Sequence, residues 1–346
     1  MPGAPDPVYV ASRRVLLDAL DALRGHLDAL VLVGAQAVYI HAGEADLAVA
    51  PTTTDGDLAI DPKHLGAEPI IETALGAAGF AQEAVGIWQM SIDAEGILRT
   101  VQVDLLVPDS LGGPGRRGAR IPPHGKHVAR KVVGLEGALV DREQHMLTAL
   151  ESRDDRRLTM AVAGPAALMV AKVHKIRERV DDADRLSDKD ALDVYRLLRA
   201  VATEELVRRF AVLRENSLSR AVTEQALESL PVLFGGVTRP GTVMAVRAAG
   251  LLEAGATVAA SLVELSTDFL RAIGRTLHRT PRQNRRCPSC HHTRSALLTC
   301  YGTVQIAMAA QLSSRNSAGI SELWDWIGSY LGATTPCSIP DATPPP

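Results

Sequence analysis

The sequence predicts an α/β fold: a mixed sheet flanked by helices, followed by a helical half. Three observations predict it. Short apolar runs bounded by turn residues, such as Leu30-Val31-Leu32-Val33 and Val101 to Val107, have the length of buried strands. Between and before them, leucines recur at helical spacing. Beyond Asp141 the pattern reads as helices alone. The boundaries that follow are a sheet domain over 11–140, a helical domain over 141–278, and a tail over 279–346 that is first basic, then ends in prolines, and reads as disordered.

In order, Ser12 is expected to cap a helix in which Leu16, Leu20, Leu23, Leu27 and Leu30 share a face. The strand 30–33 ends at Gly34, and Ala35-Gln36-Ala37-Val38 opens a second helix. A loop with Pro51 and three threonines leads to a strand at Asp57-Leu58-Ala59-Ile60. Residues 64–79 read as a helix that Pro69 interrupts. Residues 84–92 and 97–107 read as a hairpin turning at Asp93 to Gly96. A loop rich in Gly, Pro and Arg follows over 108–127, then a strand over 128–133. Pro165 suits the first turn of a helix ending near Val180, Ser187 caps the next, and further helices run to about Leu277.

Composition bounds the function. The chain has 346 residues, 46% of them hydrophobic but only 3% aromatic, so its core is aliphatic. A formal net charge of -3 excludes a globally basic nucleic-acid binder and leaves only local basic surfaces. All four cysteines lie at or beyond Cys287, so the body uses neither disulfide nor thiolate chemistry. The cluster Cys287-Pro288-Ser289-Cys290-His291-His292 invites a zinc reading, but Cys300 and Cys337 do not supply the second close pair of a full site. The uncharged stretch from Ser295 to Ser314 is too polar for a membrane span, and a soluble, cytoplasmic protein is expected.

Chemistry concentrates on three carboxylates. Asp55 and Asp57 stand two apart at the mouth of a strand, which puts both on one face. Asp104 interrupts an otherwise apolar strand, where a carboxylate is costly unless partners or a cation satisfy it. Hard oxygen ligands suit Mg²⁺ or Mn²⁺, and a pair of such ions serves phosphoryl and nucleotidyl transfer. Upstream, the strand–Gly34–helix turn offers backbone N–H groups to phosphates. On a later helix Lys172 and Lys175 share a face, as do Asp190 and Asp193 on the next. Acids near a helix start also serve the helix dipole, so that pairing alone leaves structure and function open. Between Ser110 and Lys131 stand six basic residues and no acid (Arg116, Arg117, Arg120, Lys126, Arg130 and Lys131), either a solvated loop or a surface for an RNA backbone. His41 and His174 read as packing residues.

The order Val33-Gly34-Ala35-Gln36-Ala37, then Thr53-Thr54-Asp55-Gly56-Asp57-Leu58, then Val103-Asp104 resembles the DNA-polymerase-β-type nucleotidyltransferase superfamily. The long gap between the Gly turn and the Asp pair is similar to the AbiEii toxin group of type IV toxin–antitoxin systems, which includes the MenT tRNA nucleotidyltransferases. Lys189-Asp190-Ala191-Leu192-Asp193 resembles the group's Lys-Asp-x-x-Asp element. Over roughly residues 12–275, the resemblance implies a polymerase-β-like sheet and transfer of a nucleoside monophosphate from an NTP. It implies metal ligation by Asp55, Asp57 and Asp104, and a catalytic part for Lys172 and Asp190 beside them. It implies nucleotide contacts at Gly34, Ala35, Thr54, Lys172, Lys175 and Asp193. It also implies a tRNA 3′ end as acceptor and a cognate antitoxin as partner. Ala35 departs from the Gly-Gly or Gly-Ser usual there, which removes one hydroxyl. Two other classes compete: a small-molecule nucleotidyltransferase of the antibiotic-modifying kind, and a catalytically silent nucleotide- or RNA-binding protein.

Overall fold

A computed structural model describes residues 5–43, 49–94, 96–180, 182 and 188–278, all within one compact unit, Met1–Thr280. The tail 279–346, with its expected disorder and the zinc reading of Cys287 and Cys290, lies outside the described residues.

The first helix, α1 (Pro7–Ala22), starts six residues earlier than a cap at Ser12 would place it. Asp6 caps it, its side chain accepting from Val8 N–H at 2.7 Å, and Pro7 fills the first turn, where a missing N–H costs nothing. Ser12 is therefore buried within the helix rather than its cap. A 3₁₀ segment, Arg24–Ala29, leads into β1 (Leu30–Val33), which is fully buried, and then α2 (Gly34–Ala42). The strand β2 (Asp55–Ile60) begins at the first Asp of the pair. Only Ile71–Ala77 of the expected 64–79 helix forms, as α3. Proline lacks the N–H and excludes helical backbone from the residue before it, so the helix cannot pass Pro69.

A short strand, β3 (Ala81–Ala84), precedes the expected hairpin of β4 (Ile87–Ala94) and β5 (Ile97–Pro108); β6 (Arg130–Val132) follows the basic loop. The pattern beyond Asp141 is not helical at once. Two more strands, β7 (Arg142–Thr148) and β8 (Arg157–Ala163), extend the sheet past residue 140. Helices alone then follow: α4 (Pro165–Arg179), α5 (Asp188–Ala200), α6 (Thr203–Glu215), α7 (Arg220–Phe234), α8 (Pro240–Ala249) and α9 (Gly255–His278).

The sheet order is β3-β4-β5-β2-β1-β8-β7, with β6 also on β5. Pairing is parallel for β2–β5, β1–β8 and β5–β6 and antiparallel elsewhere, so the chain is α/β with a mixed sheet. The helix α2 packs on α5, and α5 on α4, which brings the helical half against the turn that follows β1. Leu30, Leu32, Leu58, Ile60, Val103 and Leu105 fill the centre of an aliphatic core.

Candidate active site

The register of the central strands assembles the three carboxylates. Asp57 on β2 lies directly opposite Asp104 on the parallel strand β5, and opposite Val33 on β1. Opposed residues share a face, and Asp55 joins that face two residues before Asp57. Val33 is the last residue before Gly34, so the turn into α2 lies beside Asp57. The approach is close: a Cβ on Gly34 would fall 1.9 Å from Asp57 Oδ2, and Gly34 has a φ of +70°. Glycine is required there on both counts.

Asp55 is held by a buried polar network. Thr53 Oγ donates to its Oδ1 at 2.5 Å. Its backbone carbonyl accepts from Ser12 Oγ at 2.7 Å and from Gln36 Nε2 at 3.0 Å. The second hydrogen of Gln36 Nε2 goes to Ser12 Oγ at 2.9 Å, while Gln36 Oε1 accepts from Arg13 Nε at 2.7 Å. Arg13 also donates to Tyr9 Oη at 3.0 Å and to the Thr148 carbonyl at 3.1 Å. Each group finds a partner, so the network fixes α1, α2, β2 and β7 around one carbonyl. Ser12, Arg13, Gln36 and Thr53 were not legible as site residues. One signal was present: Gln36 is the lone polar side chain in Ala35-Gln36-Ala37-Val38, as a buried donor and acceptor would be.

The carboxylates disturb one another. Burial, then the charges of Asp55 and Asp104, push Asp57 up to about 7, against the pull of Lys175 and Lys172. Burial also raises Asp104, despite the Arg130 guanidinium. Asp104 Oδ2 is ion-paired with Arg130 Nη2, and Asp104 Oδ1 is buried without a hydrogen-bond partner.

Lys172 on α4 is buried between two carboxylates of α5, with its Nζ 2.7 Å from Asp190 Oδ1 and 2.7 Å from Asp193 Oδ2. Burial works against its charge, but the two acids raise it well above the ordinary lysine value. Asp190, also buried, is held well below its ordinary range by Lys172 and Lys175. Lys172 thus ties α4 to α5. Lys175 pairs with Asp190 Oδ2 at 3.2 Å, yet its side chain keeps 41% exposure, and its field reaches Asp57 and Asp104. Burial lowers Lys189, while the charges of Asp193 and Asp55 raise it, so this lysine too stands in the field of the Asp pair. Ala35 is buried, and Thr54 is exposed next to Asp55. His41 and His174 each bond a backbone carbonyl, of Ala163 at 2.7 Å and Val222 at 2.8 Å.

No family model, curated protein or solved structure matches this chain. Its chemistry therefore rests on its own residues.

Of the six basic residues beside β5, Arg130 pairs with Asp104 and Lys131 with Asp109, at 3.2 Å for the latter. Arg116, Arg117, Arg120 and Lys126 are exposed. The loop is pinned by backbone bonds from Ala119 N–H to Ala129 and from Lys131 N–H to Arg117, and it buries Ile121, Val128 and Ala129. It is an ordered platform carrying four outward charges.

A divalent cation fits the donor set. The three carboxylates are hard oxygen ligands, burial and then the charges of its two neighbours raise Asp57, and one buried oxygen of Asp104 has no partner. Among the described residues no group of three or more His, Cys, Asp or Glu side chains is placed to hold a metal ion by itself. Mg²⁺ rarely uses such a group: it binds through one or two carboxylates plus substrate phosphates. Also among the described residues, no helix is long and apolar enough to cross a membrane.

Proposed function

We propose that this chain is a metal-dependent nucleotidyltransferase that moves a nucleoside monophosphate from an NTP to a hydroxyl, with the tRNA 3′ end as acceptor. One observation carries this reading: Asp57 stands in register with Asp104 while its carboxylate rests on the Cα of Gly34. Carboxylates and a phosphate-binding turn thereby share one spot, as transfer at an α-phosphate needs.

In this reading Asp55, Asp57 and Asp104 hold Mg²⁺ or Mn²⁺, which supplies charge neutralisation on the phosphates. The triphosphate lies against the start of α2, whose first N–H groups have no side-chain cap. Lys175, half-exposed, adds a point charge for the phosphates, while Lys172, Asp190 and Asp193 set its height by joining α4 to α5. The acceptor oxygen attacks the α-phosphorus, the bond from that phosphorus to the bridging oxygen breaks, and pyrophosphate leaves. Asp104 would take the hydroxyl proton on the oxygen that does not hold the cation. Arg116, Arg117, Arg120 and Lys126 support an RNA acceptor, because exposed cations beside the site suit a phosphate backbone. The toxin role, with a cognate antitoxin that restrains it, rests on the resemblance to the AbiEii group.

The test is to incubate the protein with Mg²⁺, each α-labelled NTP and total tRNA, with aminoglycosides in a parallel reaction. Labelled tRNA is expected. Label on the small hydroxylated compounds alone would move the acceptor to the antibiotic-modifying class, and retained nucleotide binding with no labelled product would make the protein a silent binder.

A further inference from the structure

Arg130 already occupies the carboxylate that the proposed reaction needs for its cation. Its backbone is fixed. The strand β6 pairs with β5 at Leu106↔Arg130, and the Gly86 turn packs so tightly that a Cβ there would lie 2.5 Å from Arg130 N. The guanidinium is less constrained. Among the described residues its one ion pair is with Asp104 Oδ2, its Nε is buried without a hydrogen bond, and the side chain is 27% exposed. The other Asp104 oxygen is likewise buried and unpartnered. A pair with an orphan donor on one side and an orphan acceptor on the other is only half satisfied. An ion on the carboxylate and phosphates on the guanidinium would satisfy both, which offsets the cost of separating the pair.

Resting on the nucleotidyltransferase reading, we propose that Arg130 is the resting counter-cation of Asp104. It keeps free divalent ions off that carboxylate and releases it only when a nucleoside triphosphate arrives with the metal. The triphosphate supplies what the exchange requires, anionic oxygens to which a guanidinium binds in bidentate fashion. Metal loading is then coupled to nucleotide binding, and a free metal ion alone does not open the site. The strand does not need to move, since the side chain alone changes partner.

The experiment measures Mn²⁺ binding to the full chain by electron paramagnetic resonance at fixed pH, with and without an equimolar mixture of the four α,β-methylene nucleoside triphosphates. These probes cannot be cleaved at the α–β bond, so the readout is independent of turnover. Wild type should bind Mn²⁺ weakly alone and much more tightly with the analogues. Arg130→Gln should bind Mn²⁺ alone at least about tenfold more tightly than wild type, the gain from removing one unit charge about 5 Å from a divalent ion even at the dielectric of water. Its dependence on the analogues should shrink by the same factor, as linkage requires. Arg130→Lys, which keeps the charge, should stay near wild type, and Arg130→Met provides a second neutral variant if glutamine disturbs folding. Unchanged or weaker Mn²⁺ binding in the neutral variants, with analogue-dependent binding retained, would overturn the proposal: Arg130 would then only orient Asp104, and the nucleotidyltransferase reading would stand. Absence of Mn²⁺ binding in every form, with and without the analogues, would overturn both.

Discussion

Gly34→Ala probes the contact on which the site is built. The new methyl would lie 1.9 Å from Asp57 Oδ2, 2.6 Å from its Cγ and 2.9 Å from its Cβ, at a backbone φ of +70°. Two penalties follow. The left-handed backbone costs an alanine roughly 1–2 kcal/mol. The contacts with Oδ2 and Cγ also force Asp57 off its position, and displacing a half-buried side chain against packed neighbours costs about another 1–3 kcal/mol. In an Asp57→Ala background Oδ2 and Cγ are gone, and only the 2.9 Å Cβ contact remains. The same Gly34→Ala change should then cost its backbone strain plus the relief of that one remaining contact, less than in the presence of the carboxylate. A double-mutant cycle by urea unfolding should therefore give a coupling of at least ~1 kcal/mol, with Gly34→Ala milder when Asp57 is absent. Transfer activity of Gly34→Ala alone should fall by orders of magnitude. If the two substitutions are additive within about 0.5 kcal/mol, the carboxylate does not rest on Gly34 and the reasoning fails.

Further outcomes follow from the same geometry. Lys172→Met should lose about 3–5 kcal/mol in thermal or urea unfolding, because it strands the buried Asp190 and Asp193. Lys175→Met, at a half-exposed position, should cost less than about 1 kcal/mol yet raise KM for the NTP. Gln36→Leu should destabilise by roughly 1–3 kcal/mol, since Arg13 Nε and the Asp55 carbonyl each lose a buried partner, and it should slow transfer by loosening Asp55. Burial holds His41 below its ordinary value. The unfolded chain therefore binds the extra proton first as pH falls below about 6.5, and stability is lost on the acid side. Urea unfolding of His41→Gln at pH 7.5 and pH 5 should show a smaller acid loss than wild type.

The sequence carried the centre of the sheet and the carboxylates, and it failed where tertiary context decides. Leu30 to Val33 and Val103 to Val107 are buried on both faces, so they read as apolar runs, the second broken only by Asp104, and their strands were legible. Asp104 stood out because a charge inside such a run needs a reason. The strand β7 was missed because it is an edge strand: Glu143 and Gln144 are exposed and Arg142 and His145 are half-buried, and this polar run protects an edge and erases the apolar signature. Its partner β8 (Arg157–Ala163) was then lost in the approach to the Pro165 helix. The start of α1 was misplaced because leucine spacing outweighed the Asp6-Pro7 signal. Long-range partnerships were beyond reach. Nothing in the spacing of Ser12, Arg13 and Gln36 announces that they meet at the Asp55 carbonyl, or that Arg130, written as one cation of a basic loop, pairs with Asp104.

The most direct test of nucleotidyl transfer by this carboxylate site follows two labels through one reaction. With Mg²⁺, total tRNA and each NTP labelled at either the α- or the γ-phosphate, the account predicts that α-label enters tRNA while γ-label leaves as pyrophosphate. Both should fall by orders of magnitude in Asp57→Ala and in Asp104→Asn, with the double variant little worse than either single one, because ligands of one metal site act as a unit. Near-normal transfer in Asp57→Ala, or γ-label retained in the product, would contradict it.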